Sequence, residues 1–234
     1  MPTPRRLLVI NPNTSVPVTQ DLHAQLQTAL GPQVHVQAVT ARFGAPYIAD
    51  EASYAVAAHA ALDAWAHHAA TGAGSDAVLI GCFGDPGLQA LRECCAGPVT
   101  GLAEAALAQA AQFGDCAIVT GGDRWGPMLW RICAGLPHGE RVKGIVTVSM
   151  TGGDMRNNPA AAETALLAAC QQAVAQHPGV KSIIVGGAAL GGWAARLQSH
   201  VPLPLIDSVL AGARHALGAT TGEGLGAPGW LKSQ

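Results

Sequence analysis

The chain has 234 residues, 49% of them apolar and only 12% charged, with a net charge of −2. That length can bury a full core, as one domain or as two halves of ~100 residues each. Near-neutral charge without a basic stripe leaves no electrostatic footprint for nucleic acid, and no apolar run approaches the ~20 residues that cross a membrane.

So little charge predicts that some apolar surface meets another copy of the chain, as a homo-oligomer. The apolar run at 7–10 is too short for a signal-peptide core. A cytoplasmic protein is therefore expected, with Cys82, Cys94, Cys95, Cys116, Cys133 and Cys170 reduced. There is no Cys-x-x-Cys pair and the nine histidines are scattered, so no metal site is expected. His67 and His68 read as surface residues of a helix.

In chain order, residues 7–10 form a first buried strand ending in Asn11-Pro12-Asn13-Thr14-Ser15, and 18–30 an amphipathic helix closed by Gly31-Pro32. The polar cluster either caps that helix or offers short donors to a carboxylate or imide oxygen. Capping needs only one such residue, which favours binding by Asn11, Asn13, Thr14 and Ser15. Residues 34–40 alternate as a second strand. The loop at 42–48 is apolar enough to wall a pocket with Pro46 and Tyr47, or else is anchored to the core by Phe43 and Tyr47. An Ala-rich helix spans 50–70, and 71–75 breaks it.

Residues 77–80 are an unbroken apolar run, as in a strand buried on both faces of a parallel sheet. Gly81 turns the chain, Cys82 stands in the strand-to-helix loop with Phe83 and Gly84, and Asp85-Pro86 reads as N-cap and first helical residue. Ligands of open α/β sheets bind at that edge, and a following helix N-terminus favours thiolate. Cys82 is either one more buried small residue or the reacting group; its loop position favours the second.

A helix at 86–95 leads to a short strand or crossover at 97–101. Residues 102–113 are helical, and 116–120 form a buried strand ending in Thr120-Gly121-Gly122-Asp123. A capped helix then runs through Leu129, with Trp125 and Trp130 as core or interface residues. Residues 141–150 give a strand, 151–159 a polar loop and 160–176 a helix. The segment 181–190 repeats the thiol strand: Ser182 to Val185 matches Ala77 to Ile80, Gly186 matches Gly81, and Gly187, followed by Ala188, falls where Cys82 does. A last strand covers 204–206, Asp207 caps a helix to Leu217, and 220–234 reads as a Gly-rich tail that Trp230 could pin. Strands alternating with helices predict parallel βαβ units. The near-repeat predicts two similar halves with a substrate cleft lined by the strand ends, loops 11–15 and 120–122 holding substrate oxygens. Gly44, Gly81 and Gly84 make no dinucleotide fingerprint, so no cofactor is expected.

The motifs Ile10-Asn-Pro-Asn-Thr-Ser15, Gly44-Ala-Pro46 with Ile48, Gly81-Cys-Phe-Gly-Asp-Pro-Gly-Leu88, Pro98-Val-Thr-Gly-Leu-Ala-Glu-Ala-Ala106 and Pro204-Leu-Ile-Asp207 occur together. In these the chain resembles the aspartate/glutamate racemase superfamily, and within it the hydantoin and allantoin racemases, to about Gly218. The resemblance implies two pseudo-symmetric Rossmann-like half-domains with parallel sheets and the active site in the cleft between them. Residues 1–100 plus 206–234 would form the N-terminal half, completed by the C-terminal helix, and 101–205 the second. It implies two cysteines flanking the substrate's α-carbon, one removing a proton and the other returning one. The second family cysteine lies in Gly-Cys-Ala-Gly-Met; here the matching residues are Gly186-Gly187-Ala188-Ala189-Leu190.

Two-base racemisation needs an acid and a base on opposite faces of the carbon, and Gly187 supplies neither. Cys82 could protonate a planar intermediate from one face, as a one-sided isomerase or decarboxylase; the related arylmalonate decarboxylases also carry one cysteine, in the other half. It could instead be the nucleophile of a hydrolase acting on a cyclic amide, ureide or ester. Racemisation could persist with water or a substrate group as second acid, or the chain could be a non-catalytic small-ligand-binding relative. The expected partner is a small carboxylate, hydantoin or cyclic amide.

Overall fold

The computed structural model describes residues 4–218, so the predicted tail at 220–234 lies outside the described residues. Each short apolar run becomes a strand, and helices cover the strands on both sides. The chain divides into two units, Met1–Gly101 with Gly212–Gln234, and Leu102–Ala211.

In the first unit the elements are β1 (Arg5–Asn11), α1 (Val16–Leu30), β2 (Val34–Thr40), α2 (Glu51–Ala70), β3 (Ala77–Ile80), α3 (Leu88–Cys94) and β4 (Val99–Gly101). All strand pairs are parallel, in the order β2-β1-β3-β4. The central strands β1 and β3 are buried on both faces: Leu7 to Ile10 and Ala77 to Ile80 are at most 1% exposed, which is why they read as unbroken apolar runs rather than alternating ones. Leu22 and Leu26 of α1, with Ala57, Ala61 and Ala64 of α2, are buried. Asp50 and Ser53 form a reciprocal capping box that fixes the start of α2. His68, expected on the surface, is buried because it continues the Ala57, Ala61, Ala64 stripe at helical spacing. Burial pushes its imidazole pKa down.

The second unit holds α4 (Leu102–Ala110), β5 (Cys116–Gly121), α5 (Trp125–Ala134), β6 (Val142–Val148), α6 (Gly152–Asn157), α7 (Pro159–Gln176), β7 (Ser182–Gly186), α8 (Trp193–Leu197) and β8 (Leu205–Asp207); α9 (Ser208–Gly218) begins in it. Its sheet is again parallel, with the order β6-β5-β7-β8. This is the first unit's order, strand for strand. Ala117, Val119, Ile183 and Val185 pack with Leu166, Cys170 and Ala173 of α7 and Trp193 and Leu197 of α8. Trp125 is buried, while Trp130 is 46% exposed.

Two local readings change. The polar stretch 151–159 contains α6, because Thr151 and Asp154 cap one another across its first turn. Residues 206–211, placed by the sequence with the first half, lie in the second unit, because β8 pairs with β7. Asp207 then accepts from the Val209 and Leu210 amides at 2.9 and 3.1 Å, capping α9 as expected.

Candidate active site

In each sheet the strand order reverses between two adjacent central strands, β1 and β3 in one unit and β5 and β7 in the other. Such a switch point opens a crevice at the carboxyl ends of the strands. Asn11 ends β1, and Cys82 stands just beyond β3. The two loops start side by side, since the Gly81 amide donates to the Ile10 carbonyl at 2.7 Å. A Cβ at Gly81 would meet Leu22 Cδ1 of α1 at 2.7 Å and the Ile10 carbonyl at 3.3 Å, so a larger residue there would require Leu22 to shift.

Cys82 is 7% exposed, and Phe83 and Asp85 are 4%. Burial, with a smaller contribution from the Asp85 carboxylate, pushes the thiol pKa well above its ordinary value. The thiolate expected from the sequence is therefore corrected to a thiol. Burial is the main reason, and the loop offers no helix start beside the sulfur to offset it. Asp85 is not an N-cap but sits at φ 55, and Pro86 precedes the helix. α3 starts only at Leu88, with Gly87 as its left-handed N-cap. The helix thus begins six residues after Cys82 rather than directly beyond it, and the Asp85 carboxylate adds to the rise of the thiol pKa.

The asparagines of the first loop are occupied in building it. Asn11, fully buried, has its Nδ2 within donating distance of Asn13 Oδ1 (2.9 Å), the Ser15 carbonyl (3.1 Å) and Thr19 Oγ1 (3.0 Å). The Asn13 amide donates back to Asn11 Oδ1, and the Ser15 amide to Asn13 Oδ1. Ser15 precedes α1 without a side-chain capping bond. The half-buried Thr14 and Ser15 hydroxyls make no hydrogen bond among the described residues. Those two hydroxyls are the donors the loop presents.

The 41–48 loop is tied to this edge at several points. The Thr14 amide donates to Ala45 O at 3.1 Å and the Ala41 amide to Asn11 O at 2.9 Å. Phe43 meets His59 of α2 edge-on at 5.1 Å. Arg42 grips Asp63 of α2 with two bonds, Nε to Oδ2 at 2.9 Å and Nη2 to Oδ1 at 2.6 Å. Pro46 is exposed and Tyr47 half-buried. Asn11, Asn13, Thr14, Ser15, Cys82, Phe83 and Gly84 thus share one sheet edge, with the loop of Pro46 and Tyr47 bonded to it. Sequence reasoning did not find Tyr54, whose phenol donates to the Gly84 carbonyl at 2.7 Å, or the Arg42–Asp63 pair; no local motif marks either.

At the equivalent edge of the second unit, two predicted donors serve the fold. Thr120 Oγ1 donates to Gly186 O at 2.7 Å, joining β5 to β7. The Gly122 amide, at φ 92, donates to Val148 O at 2.9 Å. Gly121 lies under Met150, whose carbonyl a Cβ would meet at 2.6 Å. The half-buried Gly187 adopts φ 152 and donates its amide to Ser208 Oγ at 3.1 Å. Ala188 opens a 3-10 turn closed by the Leu190 amide on Gly187 O. Among the described residues no three His, Cys, Asp or Glu side chains converge on a metal position, and no helix is long and apolar enough to cross a membrane.

A family model described as Asp/Glu/Hydantoin racemase matches residues 7–216, and so runs through both units and every loop above. The chain belongs to the Asp/Glu/hydantoin racemase family. The hydantoin racemase of Paenarthrobacter aurescens is 30% identical over 215 residues, covering 90% of this chain and 89% of that protein. Among solved structures, the allantoin racemase of Klebsiella pneumoniae superposes with a TM-score of 0.84 at 28% identity, over 97% of this chain and 93% of that one. The allantoin racemase of Pseudomonas fluorescens follows at 0.83 and 26%, over 92% and 93%. This chain is a racemase/isomerase superfamily enzyme by kinship, with the sheet order of each unit repeated as a pair of half-domains.

Proposed function

We propose that this racemase-family enzyme acts on a small carboxylate, hydantoin or cyclic amide by giving a proton from Cys82 to the substrate's α-carbon. The observation that carries the reading is a thiol buried at a sheet switch point, where burial raises its pKa. A resting thiol suits a proton donor and does not suit a nucleophile, which must be thiolate to attack.

In the proposed step a planar carbanionic intermediate forms at the α-carbon, by loss of CO₂ or by loss of its proton to a water molecule. The Cys82 S–H bond then breaks as the new C–H bond forms, and the thiolate recovers its proton from water or from the next substrate. The Thr14 and Ser15 hydroxyls donate to the substrate's oxygens, where negative charge grows as the carbon turns planar. Gly187 has no side chain to act as a second acid, which favours one-sided proton delivery over exchange between two thiols.

The test is incubation with hydantoins, allantoin, substituted malonates and cyclic amides in D₂O, followed by NMR. Deuterium at the α-carbon, with or without CO₂ loss, is the expected result, and Cys82→Ala should lower the rate at least ~10²-fold, the scale of a lost acid–base group. Ring opening without α-deuteration would establish the hydrolase instead. Near-normal turnover by Cys82→Ala would remove the thiol from the mechanism.

A further inference from the structure

We propose that Tyr54 is a positioning residue for Cys82, its phenol clamping the thiol loop in a backbone form the loop would not hold alone. The proposal rests on the reading of Cys82 as the reacting group. It concerns α2, a helix that carries none of the residues singled out for chemistry.

Between β3 and α3 the chain makes two turns in succession, with the Asp85 amide on Cys82 O and the Leu88 amide on Asp85 O, each at 3.2 Å. Gly84, Asp85 and Gly87 all lie at positive φ, at 147, 55 and 82°. For Gly84 and Gly87 this is cheap. For Asp85 it is strained, because its Cβ crowds the following carbonyl. Such a conformation persists only where neighbouring structure over-determines it.

α2 supplies that determination at two points one helical turn apart. Tyr54 Oη donates to Gly84 O at 2.7 Å, on one side of Asp85. On the other side, the Ala58 carbonyl lies so near Gly87 that a Cβ there would come within 2.9 Å of it. Tyr54 and Ala58 are i and i+4, on one face of the helix. The helix is itself fixed independently of the loop by the Asp50–Ser53 capping box, with the Tyr54 amide on Asp50 O at 2.9 Å. Gly84 is buried, so taking away the phenol removes a donor from a carbonyl that water reaches poorly. The Gly84 peptide then loses one of its restraints, and Cys82, bonded to Asp85 through the turn, moves with it.

Tyr54→Phe deletes one hydroxyl and preserves the ring. The full-length variant and the unchanged protein would be treated with iodoacetamide, and each cysteine followed by peptide mass spectrometry. Alkylation of Cys82 should rise about fivefold to tenfold, the equilibrium weight of one hydrogen bond, while Cys94, Cys95, Cys116, Cys133 and Cys170 keep their rates. With a substrate found by the D₂O screen, kcat should fall by a similar factor and KM stay within about twofold, as for a misplaced acid rather than a lost binding contact. Unchanged labelling of Cys82 would overturn the proposal. So would a rise shared by all six cysteines, which is general loosening. The labelling needs no substrate, so it stands or falls separately from the chemistry tested by Cys82→Ala.

Discussion

At φ 152, Gly187 holds a backbone form that side-chain-bearing residues rarely take, and a Cβ there would press on Leu190 at 3.2 Å. Placing a cysteine at this position therefore adds more than a thiol: it adds strain. Gly187→Cys and Gly187→Ala should each lose about 1–3 kcal/mol of unfolding free energy in urea titrations, the usual cost of a non-glycine residue held in such a region. Equal losses would show that the Cβ is responsible. A Gly187→Cys protein as stable as the original would mean that the loop relaxes freely. Asp85 is the opposite case, a side chain that does sit at positive φ. Asp-Pro before a helix is the ordinary signature of an N-cap and first helical residue. Here the partners that decide otherwise, Tyr54 and Ala58, lie about thirty residues earlier, beyond the reach of any local pattern.

Among the elements, α2 orders the edge of the first unit by holding Gly84 through Tyr54, Phe43 through His59, and Arg42 through Asp63. The Asp63 side chain is 2% exposed and Arg42 47%. The hydrogen bonds from Arg42 hold the Asp63 carboxyl below its usual range against the opposing effect of burial, with His67 and His59 adding weaker attraction. A depressed carboxylate pKa contributes stability that is present above the unfolded value near ~4 and is lost as pH falls through the folded value. Asp63→Asn should lower Tm at pH 7 by about 3–6 °C and flatten the acid limb of the Tm–pH curve below about pH 5. An acid limb identical in both proteins would count against the pair as the stabilising element. The central strands were legible because burial on both faces leaves an unmistakable apolar run, as at 77–80, and α2 because of its run of alanines. α6 was not, since Gly152-Gly153 reads as loop until Thr151 and Asp154 are seen to cap each other.

Over the whole molecule the six cysteines are buried, and burial raises the thiol pKa of Cys82, Cys94, Cys95, Cys116 and Cys170. It pushes the Cys95 thiol up to about 12 and those of Cys116 and Cys170 up to about 11. A raised folded pKa means that the native state keeps protons which the unfolded chain releases. The stability these thiols contribute is complete below the unfolded value near ~8.5 and is lost as pH climbs through the folded ones. Tm should be flat to about pH 8 and then fall by on the order of 10 °C by pH 10.5. Cys116→Ala/Cys170→Ala should soften that fall; an unchanged slope would assign it to other groups. The doubling of the sheet was also legible at this scale, because β3 and β7 carry matching runs, each just ahead of its switch-point loop. The amides and hydroxyls that close those loops were not, since Thr120 and Gly122 look like open donors until their strand partners are known.

The division of the chain has a consequence for how it is made. The second unit is one uninterrupted stretch, Leu102–Ala211, whereas the first is begun before it and finished only from Gly212 onward. Arg5, at the start of β1, donates through its guanidinium to the Leu217 carbonyl near the end of α9. On a ribosome, which delivers residues in order, the inner unit has all its parts while the outer one still waits for its last helix. The thiol strand and its loop belong to the unit begun first, yet the part of α9 that closes that unit emerges only after the second unit.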